Sequence, residues 1–242
     1  MEEVKKRKFI GVVCGLKSEA LSIVYALTRA DIDDMYIRIE ISGASADRAE
    51  ALSRKLVENG AAALVSVGLS GALTADTQTG ELFVADSVIS PDGETLMVPE
   101  QIREEFREVK AEDVVKRGAA IGVDDIVSTI EDKAALAQKT GAITVDMESH
   151  RVAKVASEAG IPFAVVRAIA DGADRAIPTA ALDSITEEGE TKSLSVLFKA
   201  LKSPGQLPTL IGLGADAALA QKVLRGNLGG FFLRLLLILN LR

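Results

Sequence analysis

Three acidic residues stand where a charge is expensive. Asp146, Glu148 and Asp171 each lie beside apolar, strand-like runs, and an unpaired carboxylate in such a place is retained for a reason. Carboxylates so placed can grip hydroxyl groups, stabilise developing positive charge or move protons. Two of them share the string Asp146-Met147-Glu148-Ser149-His150 at a strand-to-helix junction, and the third opens Asp171-Gly172-Ala173-Asp174-Arg175 after another apolar run. Capping a helix N-terminus, worth about 0.3–1 kcal/mol, is the plainer explanation for Asp146 and Glu148. A fourth acid, Glu19, closes Gly15-Leu16-Lys17-Ser18-Glu19 after the first apolar run, where a surface helix start is the plainer explanation. The segment Gly68-Leu69-Ser70-Gly71 is predicted to be a loop that lets a ligand approach bare amides. It lacks both GxGxxG and the Lys-Ser/Thr ending of a phosphate loop, so a tight turn accounts for it equally well. The single histidine, His150, excludes a His-rich metal site. No GxSxG accompanies it, and two residues beyond Glu148 on a helix it faces elsewhere, as a core or supporting residue does.

These places are held by alternating strands and helices, the pattern of an α/β protein with three α/β/α layers and a mostly parallel, twisted, mixed central sheet. Strands are predicted at about 9–16, 35–42, 61–67, 82–89, 142–146 and 162–170, with short strands near 119–128. Helices are predicted at 18–30, after Ser45 or Asp47 up to Gly60, at 131–140 and at 147–159, with Gly160 as the stop. Residues 91–117 read as an exposed, charged excursion, irregular and then helical. We expect one α/β domain over residues 1–203 and an apolar helical extension over 204–242, formed as helical hairpins after Ser203-Pro204-Gly205.

With 242 residues, 48% of them hydrophobic, the chain can bury one large core. A formal net charge of −7 argues against a nucleic-acid partner. The lone Cys14, inside Phe9-Ile10-Gly11-Val12-Val13-Cys14, permits no internal disulfide and reads as a buried, inert thiol in a cytoplasmic protein. Lys5-Lys6-Arg7-Lys8 precedes a buried first strand rather than a secretory signal, since Lys17 and Glu19 break the apolar stretch. The run Phe231 to Leu239 is too short to span a bilayer. Its open assignments are a membrane surface, a second subunit, or the domain itself.

The four motif sites, in this order, resemble the nucleoside phosphorylase/nucleosidase superfamily over about residues 8–180. The most specific part is Val145-Asp146-Met147-Glu148 followed by Pro162 to Asp174. The resemblance implies cleavage of a purine N-glycosidic bond. Glu148 then binds the ribose hydroxyls, with Met147, Asp146, Ser70, Gly71 and Gly68 as further substrate contacts, and Asp171 protonates the departing base. Asp171 must carry a proton for this, which its apolar approach and nearby Asp174 are expected to favour. Glu19 stands where nucleosidases carry the water-activating glutamate. Lys17 could instead neutralise phosphate, so water and phosphate both stay open as the nucleophile; no metal or other cofactor is implied. A narrower resemblance, to the hopanoid-associated phosphorylases that act on adenosylhopane, rests on Met147-Glu148-Ser149-His150, on Asp171 to Pro178, and on Ser203 to Pro208 leading into a Leu/Arg-rich tail. It implies a lipid-linked nucleoside, peripheral membrane contact through the tail and, with the wider family, a homo-oligomer. The alternative from another class is a nucleoside-binding protein without activity, motivated by Leu69 where several relatives carry a polar residue. A dinucleotide-dependent dehydrogenase is disfavoured by the missing fingerprint.

Overall fold

The structure, a computed structural model, describes residues 8–107, 115–178, 189 and 207–241. Its strands are β1 (Phe9–Cys14), β2 (Ile37–Ile41), β3 (Ala61–Ala72), β4 (Leu82–Ile89), β5 (Thr95–Met97), β6 (Val115–Gly122), β7 (Thr144–Asp146) and β8 (Phe163–Asp171). Its helices are α1 (Lys17–Arg29), α2 (Ala46–Glu58), α3 (Glu100–Arg107), α4 (Ile130–Thr140), α5 (Ser149–Glu158) and α6 (Leu207–Ile238). One short 3-10 turn, Asp34–Tyr36, precedes β2.

The sheet is mixed, and its central strands are buried on both faces. β1 is parallel to β2 and β3, β3 to β8, and β6 to β4 and β7; the β3–β7, β4–β5 and β4–β8 pairs are antiparallel. Because β8 pairs with both β3 and β4 while β7 and β6 link the same two strands, five strands close on themselves. The fold is therefore the α/β class that the alternating pattern predicts. All six residues of β1 and seven of the nine in β8 form unbroken buried runs, as strands covered on both sides must. α1 and α6 pack together on the sheet, and α2 and α5 form a second group against it. α2 starts where predicted, with the Ser45 hydroxyl accepting from Arg48 N (3.4 Å).

Several sequence expectations are corrected. Gly68 to Gly71 is not a loop: β3 runs on through Ala72, with its ladder to β8 shifting register between Ser70 and Gly71. The glycine at 71 answers a close approach instead, since a β-carbon there would lie 2.9 Å from Asp171 Oδ2. The short strands expected near 119–128 are a single strand, β6, displaced toward the N-terminus. The charged excursion holds a short edge strand and α3, whose Ile102 and Phe106 enter the core; residues 108–114 lie outside the described residues. The helix expected from 147 begins at Ser149.

Instead of hairpins the tail forms one helix of 32 residues; Ser203-Pro204-Gly205 lies outside the described residues. Leu224, Leu228, Phe232, Leu235 and Leu236 on α6 are fully buried in the same core as β1, β3 and β8. Burying each contributes about 1.5–3 kcal/mol. Phe231 stacks on Phe106 with centroids 4.6 Å apart. These side chains are thus spent on the domain itself and do not form a membrane face. No described helix is long and apolar enough to cross a membrane.

Candidate active site

One cavity of about 200 Å³ opens at the ends of β1, β3, β7 and β8. Glu19, Ser70, Gly71, Asp146, Met147, Glu148 and Asp171 all line it, so seven of the eight residues singled out in the sequence meet in one place. The eighth, Gly68, lies behind that wall, against the side chains of Glu19 and Arg167. The rest of the lining is apolar and includes Leu16, Leu69, Val123, Ile126, Val127 and Ile177.

Each acid is positioned by backbone geometry. The turn after β1 folds back so that Gly15 N and Leu16 N donate to Glu19 Oε2 (2.8 and 2.9 Å), and Leu69 N of β3 donates to Glu19 Oε1 (2.8 Å). Glu19 is only 4% exposed, which removes the surface-helix alternative. Burial raises its affinity for a proton, against the pull of those three amides and of Arg167.

Glu148 is the residue before α5, at φ −123° and ψ −33°, with a buried carboxylate. Burial pushes that carboxyl group up to about 8, countered by Arg167 and reinforced by the negative charges of Asp146 and Glu19. Asp146 does what the capping alternative predicts. Its Oδ1 accepts from Glu148 N (2.8 Å), Ser149 N (2.7 Å) and Arg167 Nη2 (2.8 Å). Burial pulls Asp146 upward, but Arg167 and these amides outweigh it and hold the carboxyl below its ordinary range.

Arg167 is the member that sequence reasoning missed. It projects from β8, is fully buried, donates to Ser66 Oγ (2.7 Å), and stands 3.6 Å from Glu148 Oε2. A charged residue inside Phe163-Ala164-Val165-Val166-Arg167-Ala168-Ile169 was the available signal, because such a charge survives only with partners. Lys133 was missed too. Its ammonium, from α4, contacts Asp171 Oδ2 and donates to the carbonyls of Gly172 (2.8 Å) and Arg175 (2.9 Å). Asp171 therefore faces a cation, where the sequence pointed only to apolar neighbours and Asp174.

The Ser70 hydroxyl, 5% exposed, has no hydrogen-bond partner among the described residues and lies in the cavity wall. His150 stays out of the cavity, as its helical position predicts. It is buried, its Nε2 meets Asp124 Oδ1 (3.1 Å), and burial lowers its affinity for a proton. Cys14 is fully buried, and burial with the nearby Glu19 and Glu148 charges pushes its thiol upward, away from reactivity.

A strand-end cavity lined by acids on a mixed α/β sheet defines a class, and a family profile agrees. The profile of the phosphorylase superfamily matches residues 23–202, and the chain belongs to that superfamily. Glu19 and α6 lie outside the matched stretch. Among solved structures the chain is similar to 5′-methylthioadenosine/S-adenosylhomocysteine nucleosidase from Helicobacter pylori, at 18% identity and TM-score 0.65, covering 91% of this chain and 97% of that one. It is also similar to futalosine hydrolase from the same organism, at 20% identity and TM-score 0.65, covering 92% and 97%. At these identities the likeness is one of fold. No curated protein matches the sequence.

Proposed function

We propose that this protein cleaves the N-glycosidic bond of an adenine nucleoside, using water as the attacking group. The observation that carries the reading is the convergence of Glu19, Glu148, Asp171 and the unpartnered Ser70 hydroxyl on one cavity. Glycosidic cleavage passes through a sugar with cationic character while the electron pair of the broken bond moves onto the base. Glu148 accepts from the ribose hydroxyls and stabilises the positive charge. Asp171 passes a proton to the imidazole ring of the departing purine, which leaves as neutral adenine. Glu19, its proton affinity raised by burial, takes a proton from the water that attacks the anomeric carbon.

Water is favoured over phosphate because no lysine or arginine lines the cavity among the described residues, while Glu19, Asp146 and Glu148 do. A phosphate dianion would find no cation in that wall to offset its charge. The cavity is smaller than the roughly 300–1,000 Å³ of pockets that enclose a drug-sized ligand. Any large 5′ substituent extends past the mouth, where the lining residue Ile126 is 38% exposed. A lipid-linked nucleoside such as adenosylhopane is the finer proposal. Its support is the sequence resemblance and this apolar rim.

The test is incubation of the protein with adenosine, 5′-methylthioadenosine and adenosylhopane, with and without phosphate, with products identified by mass spectrometry. Free adenine with the unphosphorylated sugar is expected. A sugar 1-phosphate would overturn the choice of water, and no base release from any of the three would overturn the reading.

A further inference from the structure

α4 is a surface helix whose Leu136 and Ala137 rest half-buried against a small apolar cluster. Of its eleven residues only Lys133 is buried, at 1% exposure, so the most costly side chain on the helix is the one it buries. Such burial requires a full set of partners. An ammonium has three protons to donate, and here three acceptors take them: Asp171 Oδ2 and the carbonyls of Gly172 and Arg175. Two neutral carbonyls fix the ammonium from one side and the carboxyl group of Asp171 takes the third position. The helix is itself pinned one turn earlier, where Thr129 Oγ1 accepts from Asp132 N (3.0 Å) and Thr129 O accepts from Lys133 N (3.1 Å). Lys133 does not line the cavity, whereas Asp171 does. The other charges nearby are Asp174 and Arg175 on the same loop, with Arg175 paired to Asp216 of α6, and Asp146 at the end of β7.

We propose that Lys133 is a positioning residue for proton delivery: its fixed ammonium holds one oxygen of Asp171 and stabilises the negative charge left on that carboxylate as its proton passes to the departing base. The inference rests on the glycosidase reading above and adds to it. As the carbon–nitrogen bond breaks, its electron pair goes to the base and the Asp171 proton follows to the ring nitrogen. The carboxylate left behind forms directly against an ammonium already oriented by backbone, so no reorganisation is needed at that moment. Lys133 thereby sets how basic a leaving group the enzyme can expel. A base that departs without needing a proton gains nothing from it.

The experiment compares wild type and Lys133→Met on an adenine nucleoside and on its N7-methylated analogue, whose base leaves neutral without protonation. On the ordinary nucleoside kcat falls by roughly 10–100-fold in the variant, less than the roughly 10²–10⁴-fold that a general acid itself contributes, because Asp171 remains in place. KM stays nearly constant, and the N7-methyl analogue is split at close to the wild-type rate. Equal losses on both substrates, or no loss on either, overturn the proposal and leave the glycosidase reading standing. A wild-type protein that releases base from neither overturns both. Lys133→Gln, which keeps a donor for the carbonyls but drops the charge, carries the same comparison if the methionine variant does not fold. In an Asp171→Asn background the Lys133 substitution costs no further activity, because its partner's proton is already gone; additive losses contradict the assignment.

Discussion

Glu148→Gln should make the resting protein more stable and less active, with the gain confined to one side of the pH scale. In the folded chain burial raises the Glu148 carboxyl from 4.5 to about 8. Between those two values the folded protein holds a proton that the unfolded chain has released, so stability falls as pH rises through that window and levels off beyond it. At about 1.4 kcal/mol per pH unit the penalty reaches on the order of 5 kcal/mol at pH 8. An amide keeps the shape and removes the ionisation, and after local relaxation the gain at pH 8 is about 2–4 kcal/mol. In a chain of this size that is roughly 5–15 °C in melting temperature. At pH 5 the gain shrinks to less than about 1 kcal/mol. Burial raises Glu19 as well, with the same sign of pH dependence, and lowers His150, with the opposite sign, so the informative quantity is the difference between variant and wild type. Calorimetric melts of both proteins without substrate, from pH 5 to 9, provide it. Parallel curves across that range would refute the electrostatic reasoning.

Three further outcomes are expected. Asp171→Asn lowers kcat by about 10²–10⁴-fold while the far-ultraviolet spectrum is retained, and unchanged turnover would remove the acid assignment. Gly15→Ala places a methyl group 2.8 Å from Glu148 Oε1, which must shift; kcat/KM falls about 10²-fold with little change in the urea midpoint, and an active variant would mean that Glu148 tolerates misplacement. Phe232→Ala empties a fully buried site on α6 and costs about 3–5 kcal/mol by denaturant titration; a loss below 1 kcal/mol would mean that α6 is not part of the cooperative fold.

The sheet and most of its helices were legible because apolar runs and caps are local signals: β1, α2 and β8 fall close to where their residues put them. The failures have a common cause in long-range pairing. Gly68 to Gly71 carries turn chemistry, yet pairing with β8 and β7 keeps it in the ladder, and no window of sequence contains those partners. The acids could be singled out for the same reason that Arg167 could have been, since each interrupts an apolar run. Lys133 left no such trace. It sits among Glu131, Asp132 and Lys139 in an ordinary charged helix, and only the fold brings its ammonium to Asp171.

α6 bears on a cavity that none of its described residues lines. Gln221 of α6 hydrogen-bonds Ser22 (2.6 Å) and Ser18 (3.2 Å), and Arg225 reaches Ser22 (3.3 Å), bracketing the turn of α1 that carries Glu19. The chain beyond the superfamily match thus serves as a buttress for the glutamate at the opposite end of the sequence. A protein truncated at residue 206 would lose the support behind that wall along with a large share of its core, and changes in tail length or composition are a route by which relatives could retune the attacking side without altering a residue that meets the ligand.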